Sequence, residues 1–341
     1  MNFIGSSSVA QLLKFWTQTF TLVQLIQMQP KLIIHGGAGS SLKGKQGAEV
    51  VRKSLYKVIE EVYSLLLTGA HAREAVVRGC QLLEDDPRFN AGTGSVLQSD
   101  GQIRMSASLM EGRVQRFSGV INVSRVQNPI DLAKFLQGSA DRVLSEYGAA
   151  ELTRELNIPV YNPMTDLRLQ EWMLERQENF DKTMAGVVAE QELVTTSEAG
   201  RGTIGVVVLD AYGCLAAGTS TGGKGFERIG RVSDSATPAG NYASGKAAVS
   251  CTGIGEDIID ECLAARIVVR VTDGFSLAEA MERSFKEAKQ HQRDFAAIAL
   301  DATGAIAWGK TSQVLLAAYH TGEQIGDTLE WTGDDLIGFV A

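Results

Sequence analysis

The chain has 341 residues, room for one large domain or two ordinary ones, and its 44% apolar and 21% charged residues are the balance of a soluble globular protein. A formal charge of −8 argues against a general nucleic-acid binder. Four cysteines (Cys80, Cys214, Cys251, Cys262) and four histidines lack metal-ligand spacing, which argues against a transition-metal centre and for reduced, buried thiols in a cytoplasmic protein.

Residues 1–29 are apolar with one charge, Lys14. They lack the basic start and small-residue cleavage site of a signal peptide, and interspersed Gln and Thr weaken a membrane span. Lys31–His35 reads as a first strand and Gly36-Gly37-Ala38-Gly39 as a tight turn. That turn lacks the third glycine of a dinucleotide fingerprint, and Gly222–Gly225 lacks the spacing of a Walker loop. Residues 47–67 carry Val51, Leu55, Val58, Val62 and Leu65 at helical spacing, and a second helix covers about 72–84. An acidic turn around Asp85-Asp86-Pro87 follows.

Residues 102–109 alternate and 118–123 form an apolar run, so both read as strands. Asn128-Pro129 starts a helix to about 136. From 157 to 202 apolar periodicity fades except for a short helix near 167–174, and Thr195–Gly200 has the composition of a mobile linker. The next run, Thr203-Ile204-Gly205-Val206-Val207-Val208-Leu209, reads as a buried strand pairing with Cys214–Thr219 across Asp210-Ala211-Tyr212-Gly213. A similar Leu-Asp-Ala-x-Gly turn recurs at Leu300–Gly304, which we ascribe to shared turn chemistry. A helix starts near Gly255 and runs past Ile267, another covers 277–291, and strands 295–301, 305–309 and 314–319 follow. The polar tail from 321 gives no clear signal.

Thr203 is a hydroxyl nucleophile that opens the central strand, with permissive Gly202 before it. A Gly-Thr peptide there tolerates the strained dihedrals that an internal acyl shift needs. After scission Thr203 would carry a free α-amine of pKa roughly 7.7–8.0, a base beside its own hydroxyl.

Gly202-Thr203-Ile204-Gly205, Thr219-Ser220-Thr221-Gly222-Gly223, Gly230-Arg231-Val232-Ser233-Asp234-Ser235 and Ser250-Cys251-Thr252-Gly253-Ile254-Gly255-Glu256 resemble the plant-type L-asparaginase / isoaspartyl peptidase family. These are Thr-dependent N-terminal-nucleophile (Ntn) hydrolases. His35-Gly36-Gly37-Ala38-Gly39 and Phe89-Asn90-Ala91-Gly92 match upstream, in the family's order. The resemblance implies an α+β fold, a four-layer αββα sandwich, as a single domain over 28–341 that cleaves itself into 28–202 and 203–341. It starts close to Met28, so residues 1–27 read as an upstream extension or an amphipathic appendage.

By the same resemblance Thr203 is the nucleophile, Thr221 orients it, and Thr252 and Gly253 form the oxyanion hole. Arg231, Val232, Ser233, Asp234, Ile254 and Gly255 line the substrate. Gly37 and Asn90 support the site. A guanidinium suits the α-carboxylate of an amino-acid substrate and a carboxylate its ammonium, the roles expected of Arg231 and Asp234. The main-chain carbonyls of Leu83, Glu84, Asp86, Phe89, Ala91 and Thr93 would hold a structural sodium ion. No organic cofactor, nucleic acid or membrane is implied. The partner is a small amino-acid or dipeptide substrate, in a dimer of cleaved αβ units.

Three departures stand out. Ser233 replaces a common glycine, the loop Ala236–Gly240 is short, and Arg201 precedes the scission point. The expected activity is hydrolysis of β-aspartyl dipeptides and L-asparagine to aspartate. A glycosylasparaginase on the same scaffold is the rival enzyme, and an unprocessed binding module the rival outside enzymes.

Overall fold

A computed structural model describes residues 28–39, 45–177, 202–331 and 336–341. Residues 1–27, Arg201 and most of the expected linker, 178–200, lie outside the described residues, and with them the readings of the extension and of Arg201. The fold is mixed α and β. Its strands are β1 (Lys31–Gly39), β2 (Met105–Glu111), β3 (Arg116–Val123), β4 (Val143–Ser145), β5 (Ile204–Leu209), β6 (Leu215–Thr221), β7 (Asn241–Ala243), β8 (Ala247–Gly253), β9 (Phe295–Asp301), β10 (Ile306–Lys310), β11 (Val314–His320), β12 (Ile325–Asp327) and β13 (Ile337–Val340). Its helices are α1 (Lys45–Leu67), α2 (Ala72–Glu84), α3 (Pro129–Leu136), α4 (Glu146–Glu155), α5 (Asp166–Gln177), α6 (Gly255–Glu261), α7 (Leu263–Thr272) and α8 (Leu277–Gln290).

The strands make two sheets, ordered β12-β11-β1-β5-β6-β2-β3-β4 and β13-β10-β9-β8-β7. Side-chain parity explains how they stack, because alternate residues of a strand face opposite ways. On β5, Ile204, Val206 and Val208 join the core formed with α1, α2 and α3, while Val207 and Leu209 join a second core. That second core also takes Ala248 from β8 and Ile298 and Leu300 from β9, so it lies between the sheets. On the far side, Val249, Cys251, Ala297 and Ala299 pack against Ile267 of α7 and Phe285 of α8. Both central strands are covered on both faces, which is why they read as continuous apolar runs.

Several sequence boundaries shift for local reasons. On α1 the buried seam runs through Leu66 rather than Leu65. The helix expected to run from 255 past 267 is two helices, because Cys262 takes a left-handed conformation (φ 46°) between them. α4, β4 and β7 went unpredicted, being short and weakly periodic. The tail from 321 supplies edge strands β12, paired with β11, and β13, paired with β10. The two Leu-Asp-Ala-x-Gly turns share a hydrogen-bond pattern: Asp210 Oδ1 accepts from Tyr212 and Cys214, and Asp301 Oδ1 from Thr303 and Ala305.

The stretch from 157 is packed at least to 177. Gly94 N–H donates to the Pro163 carbonyl (3.0 Å). From α5, Arg168 Nε donates to the Gly94 carbonyl (2.8 Å) and its Nη1 to Glu171 (2.9 Å), while Trp172 Nε1 donates to the Gln98 carbonyl (2.9 Å). Three anchors thus hold this segment onto the loop after α2.

Candidate active site

Parity also builds the site. Thr203 and Gly205 share the face of Val207 and Leu209, which looks toward the second sheet. Thr219 and Thr221 on β6, His35 on β1, and Ser250 and Thr252 on β8 occupy the matching inward positions. The Thr203 hydroxyl donates to that of Thr221 at 3.1 Å. Thr221 Oγ1 also accepts the Gly223 N–H (3.1 Å), which fixes its orientation. Thr203 is 8% exposed and Thr221 2%.

A second polar chain runs beside this pair. His35 Nε2 is hydrogen-bonded to Ser250 Oγ (2.9 Å), and Ser250 Oγ to Thr219 Oγ1 (2.7 Å). Burial drives the His35 pKa down to about 3, so the ring is neutral. The Thr203 main chain works the other way, yet Nδ1 has no hydrogen-bond partner among the described residues. Gly205 carries no side chain because Ser250 and His35 fill the space a Cβ would need.

Behind Thr203, Gly37 stands against Gly202: a Cβ on Gly37 would lie 2.5 Å from the Gly202 α-carbon. Asn90 holds the turn after Thr221. Its Nδ2 donates to the Gly223 carbonyl (2.6 Å), its Oδ1 accepts Val96 N–H (3.0 Å), and its own carbonyl accepts Gly222 N–H (2.9 Å). Thr252 is fully buried, and its hydroxyl has no partner among the described residues. Gly253 (φ 135°) lets β8 pass over the Phe295 backbone. Ile254 donates its N–H to Asp294 (2.9 Å), leaving Gly255 to start α6.

Arg231, Asp234 and Gly255 converge. A Cβ on Gly255 would lie 2.6 Å from Arg231 Nη2 and 2.8 Å from Asp234 Oδ1. The Arg231 carbonyl accepts from Asn122 Nδ2 (3.1 Å). Burial raises the Asp234 carboxyl to about 7, against the opposing pull of Arg231. Its Oδ2 and the Ser233 hydroxyl are buried without partners among the described residues, whereas Val232 is exposed. Arg231 and Asp234 do not form an ion pair with each other. Arg231 instead forks onto Glu256.

Residues 28–330 match the model of the family described as Asparaginase. The chain belongs to the asparaginase family. It is 73% identical over 315 residues to the isoaspartyl peptidase/L-asparaginase of Nostoc sp., a match covering 92% of this chain and 99% of the relative. The isoaspartyl peptidase/L-asparaginase of Synechocystis sp. is 64% identical over 311 residues, covering 91% and 94%. The plant-type L-asparaginase of Pyrococcus horikoshii is 34% identical over 305 residues, covering 84% and 95%.

In this asparaginase-family chain the loop after α2 closes on itself through main-chain hydrogen bonds. Thr93 N–H closes it onto the Glu84 carbonyl (2.7 Å), and Phe89 N–H onto that of Asp86 (3.1 Å). A Cβ on Gly94 would run into the carbonyls of Pro87 and Phe89, so only glycine fits there. Main-chain oxygens suit sodium or calcium. The Glu84 carboxyl takes another part: fully buried, it accepts the Ile130 N–H (3.2 Å) at the start of α3. Burial pushes its pKa up to about 8.

The sequence reading assigned no individual role to His35, Thr219, Ser250, Lys224 or Glu256. Thr219 and Ser250 were legible as polar residues two before Thr221 and Thr252 on otherwise apolar strands. Glu256 and Lys224 gave no such signal, since their pairing joins the first turn of α6 to a loop 32 positions earlier. Among the described residues no helix is long and apolar enough to cross a membrane.

Proposed function

We propose that this protein is a self-processing threonine amidohydrolase acting on β-aspartyl (isoaspartyl) dipeptides and L-asparagine. The names of the Nostoc and Synechocystis relatives support the substrates. The observation that carries the mechanism is the Thr203–Thr221 hydroxyl pair, buried directly after a glycine pressed on Gly37. The layering of cores supports a four-layer αββα sandwich of the Ntn type.

In the first step the Thr203 hydroxyl oxygen attacks the Gly202 carbonyl carbon. The C–N bond breaks, the hydroxyl proton passes to the departing α-nitrogen, and water hydrolyses the resulting ester. Chains 28–202 and 203–341 stay together because β1 and β5 are neighbours in one sheet. In the second step the freed α-amine accepts the hydroxyl proton while the oxygen attacks the substrate's β-carbonyl carbon. Thr221 holds the hydroxyl in line.

The unpartnered Thr252 hydroxyl and the Gly253 main chain stabilise the oxyanion, a contribution of about 3–4 kcal/mol per donor in comparable sites. Arg231 takes the substrate α-carboxylate and Asp234 its ammonium. Ammonia or an amino acid leaves with the transferred proton, and water releases aspartate. Val232, Ser233, Ile254 and Gly255 form the wall. Asn90 supports the turn after Thr221. A sodium ion held by the carbonyls of Leu83, Glu84, Asp86, Phe89, Ala91 and Thr93 would rigidify the loop that carries Asn90. The working unit is a cytoplasmic dimer of cleaved αβ pairs that needs no organic cofactor.

Denaturing electrophoresis with N-terminal sequencing tests the scission: two fragments, one starting Thr-Ile-Gly-Val, are expected, and Thr203→Ala should give one band without activity. Turnover by that variant would remove Thr203 as nucleophile. Parallel assays on β-aspartyl-leucine, L-asparagine and sugar-linked asparagine should favour the first two. Preference for the third would make the enzyme a glycosylasparaginase.

A further inference from the structure

Arg231 stands on a loop with little packing of its own: Arg228, Ile229, Gly230 and Val232 are all exposed. Its backbone is tied to the first sheet by a residue that the scheme above leaves unused. Asn122 of β3, 7% exposed, donates from Nδ2 to the Arg231 carbonyl at 3.1 Å. Its own N–H donates to Ser106 Oγ on β2 (3.1 Å). Ser106 is in turn the register partner of Thr221 on β6. Asn122 reaches this place through a β-bulge. Met105 pairs with Val123 but Ala107 with Val120, so Ile121 and Asn122 together oppose Ser106. Val120 and Val123 both stay in the helix-side core although they are three apart. Asn122 absorbs the extra step in a left-handed conformation (φ 56°), which a non-glycine residue keeps only where its surroundings hold it. The far end of the segment is held alike: Ser108 of β2, paired with Thr219, donates its hydroxyl to the Ser235 carbonyl (2.5 Å).

We propose that Asn122 is a positioning residue: it sets Arg231 at a fixed place relative to Thr221, so that a substrate seated on Arg231 brings its β-carbonyl to Thr203. This rests on Arg231 being the α-carboxylate anchor. In a β-aspartyl group two carbons separate the α-carboxylate from the carbonyl under attack, so the seat and the nucleophile must share one frame. Thr203 is referred to that frame by its contact with Thr221 (3.1 Å), and Arg231 by Asn122. Ser106 lies between them, on the strand that pairs with both β3 and β6. Without the amide the Arg231 backbone is free to drift on its exposed loop, and a misplacement of about 1 Å costs on the order of 10²-fold in rate. Glu256 does not supply this tie, since it holds the guanidinium end and not the backbone. The bulge serves the same purpose: without its extra residue, strand alternation would turn a different side chain toward Arg231. Self-scission uses no substrate carboxylate, so Asn122 bears on turnover and not on processing.

Two variants test this. Asn122→Gly keeps the left-handed backbone and deletes the amide, and Asn122→Asp keeps the shape but replaces the donor with an acceptor. Each is followed by denaturing gel, by kcat and KM for β-aspartyl-leucine, and by Kd for L-aspartate from calorimetry. Both should cleave themselves as the parent does. Asn122→Gly should raise KM and Kd about 2–12-fold, the factor of one neutral hydrogen bond, and Asn122→Asp at least as much. A loss of folding alone would reduce the active fraction and the apparent kcat while leaving KM and Kd as they are. In an Arg231→Met background Asn122→Gly should leave kcat/KM unaltered. Unchanged KM and Kd in both variants, or an equal effect with and without Arg231, overturns the proposal. So does failure of both variants to cleave, which would tie Asn122 to the nucleophile instead. If glycine fails to fold, the aspartate variant decides by the same readings. Arg231→Met by itself checks the reading beneath and should raise KM more than either Asn122 change. If it leaves KM as in the parent, the anchor and the positioning both fall. If it raises KM while both Asn122 variants bind as the parent does, only the positioning falls.

Discussion

Gly37 and Gly202 meet backbone to backbone, with no room for a Cβ on either. One lies within β1, at a shift in its register with β11 where the sequence reads as a turn, and the other precedes the proposed scission point, 165 residues later by their numbers. Gly37 also holds φ at 129°, where side chains are strained. Gly37→Ala should therefore press on the very peptide that must distort. Overpacking of this kind costs about 1–3 kcal/mol. The uncleaved band should persist on a denaturing gel while circular dichroism stays native, and normal scission in that variant would show that the contact is incidental.

With Asp234 as the proposed ammonium anchor, its titration should set the pH dependence of binding. Its free-state pKa of about 7 is raised by burial, so below that pH it is largely protonated. A substrate ammonium favours the ionised form and should expel the proton. Calorimetry of L-aspartate binding at pH 6, in buffers of different ionisation enthalpy, should show net proton release. The Thr203 α-amine is already protonated there, given its pKa of roughly 7.7–8.0, and cannot mask the effect. Affinity should climb as pH rises toward 7 and then level off. Proton uptake at pH 6 would contradict the role.

His35 bears on acid stability. Its folded pKa of about 3 lies below the ordinary histidine value of 6.5, so the neutral ring's contribution is fully present above 6.5 and is lost as pH falls toward 3. Chemical denaturation of the parent and of His35→Gln, compared between pH 7 and 4, should show a steeper loss in the parent. The limiting difference in slope is about 1.4 kcal/mol per pH unit. Glu84 and Asp234 titrate the opposite way but are common to both proteins. Parallel curves would mean that the ring protonates without penalty.

Arg168 and Glu171 form a pair in which both side chains are below a tenth exposed. Arg168→Met removes a buried cation from beside the Glu171 carboxylate and frees the Gly94 carbonyl, so it should destabilise the protein by about 3–5 kcal/mol in urea. Replacing both residues with apolar ones of similar size should restore much of that loss. A single variant as stable as the parent would show that the pair is reached by water.

The sequence alone determined the strand that follows Thr203, the glycine before Thr203, and the helices flanking the first sheet. These rest on local signals: a β-branched run, 3.6-residue periodicity, and turns whose Asp caps its own backbone. It also carried the set of motifs that named the family. Only the tertiary structure decided what the inward faces do together. Cys262 breaks a helix that apolar spacing would continue, because backbone dihedrals are not written in periodicity. Edge strands β12 and β13 gain their hydrogen bonds from partners already in place, so they need little pattern of their own. The His35–Ser250–Thr219 chain and the fork of Arg231 on Glu256 join residues 215, 31 and 25 positions apart. A polar side chain's partner depends on which strands become neighbours, and that is fixed only when the two sheets close on each other.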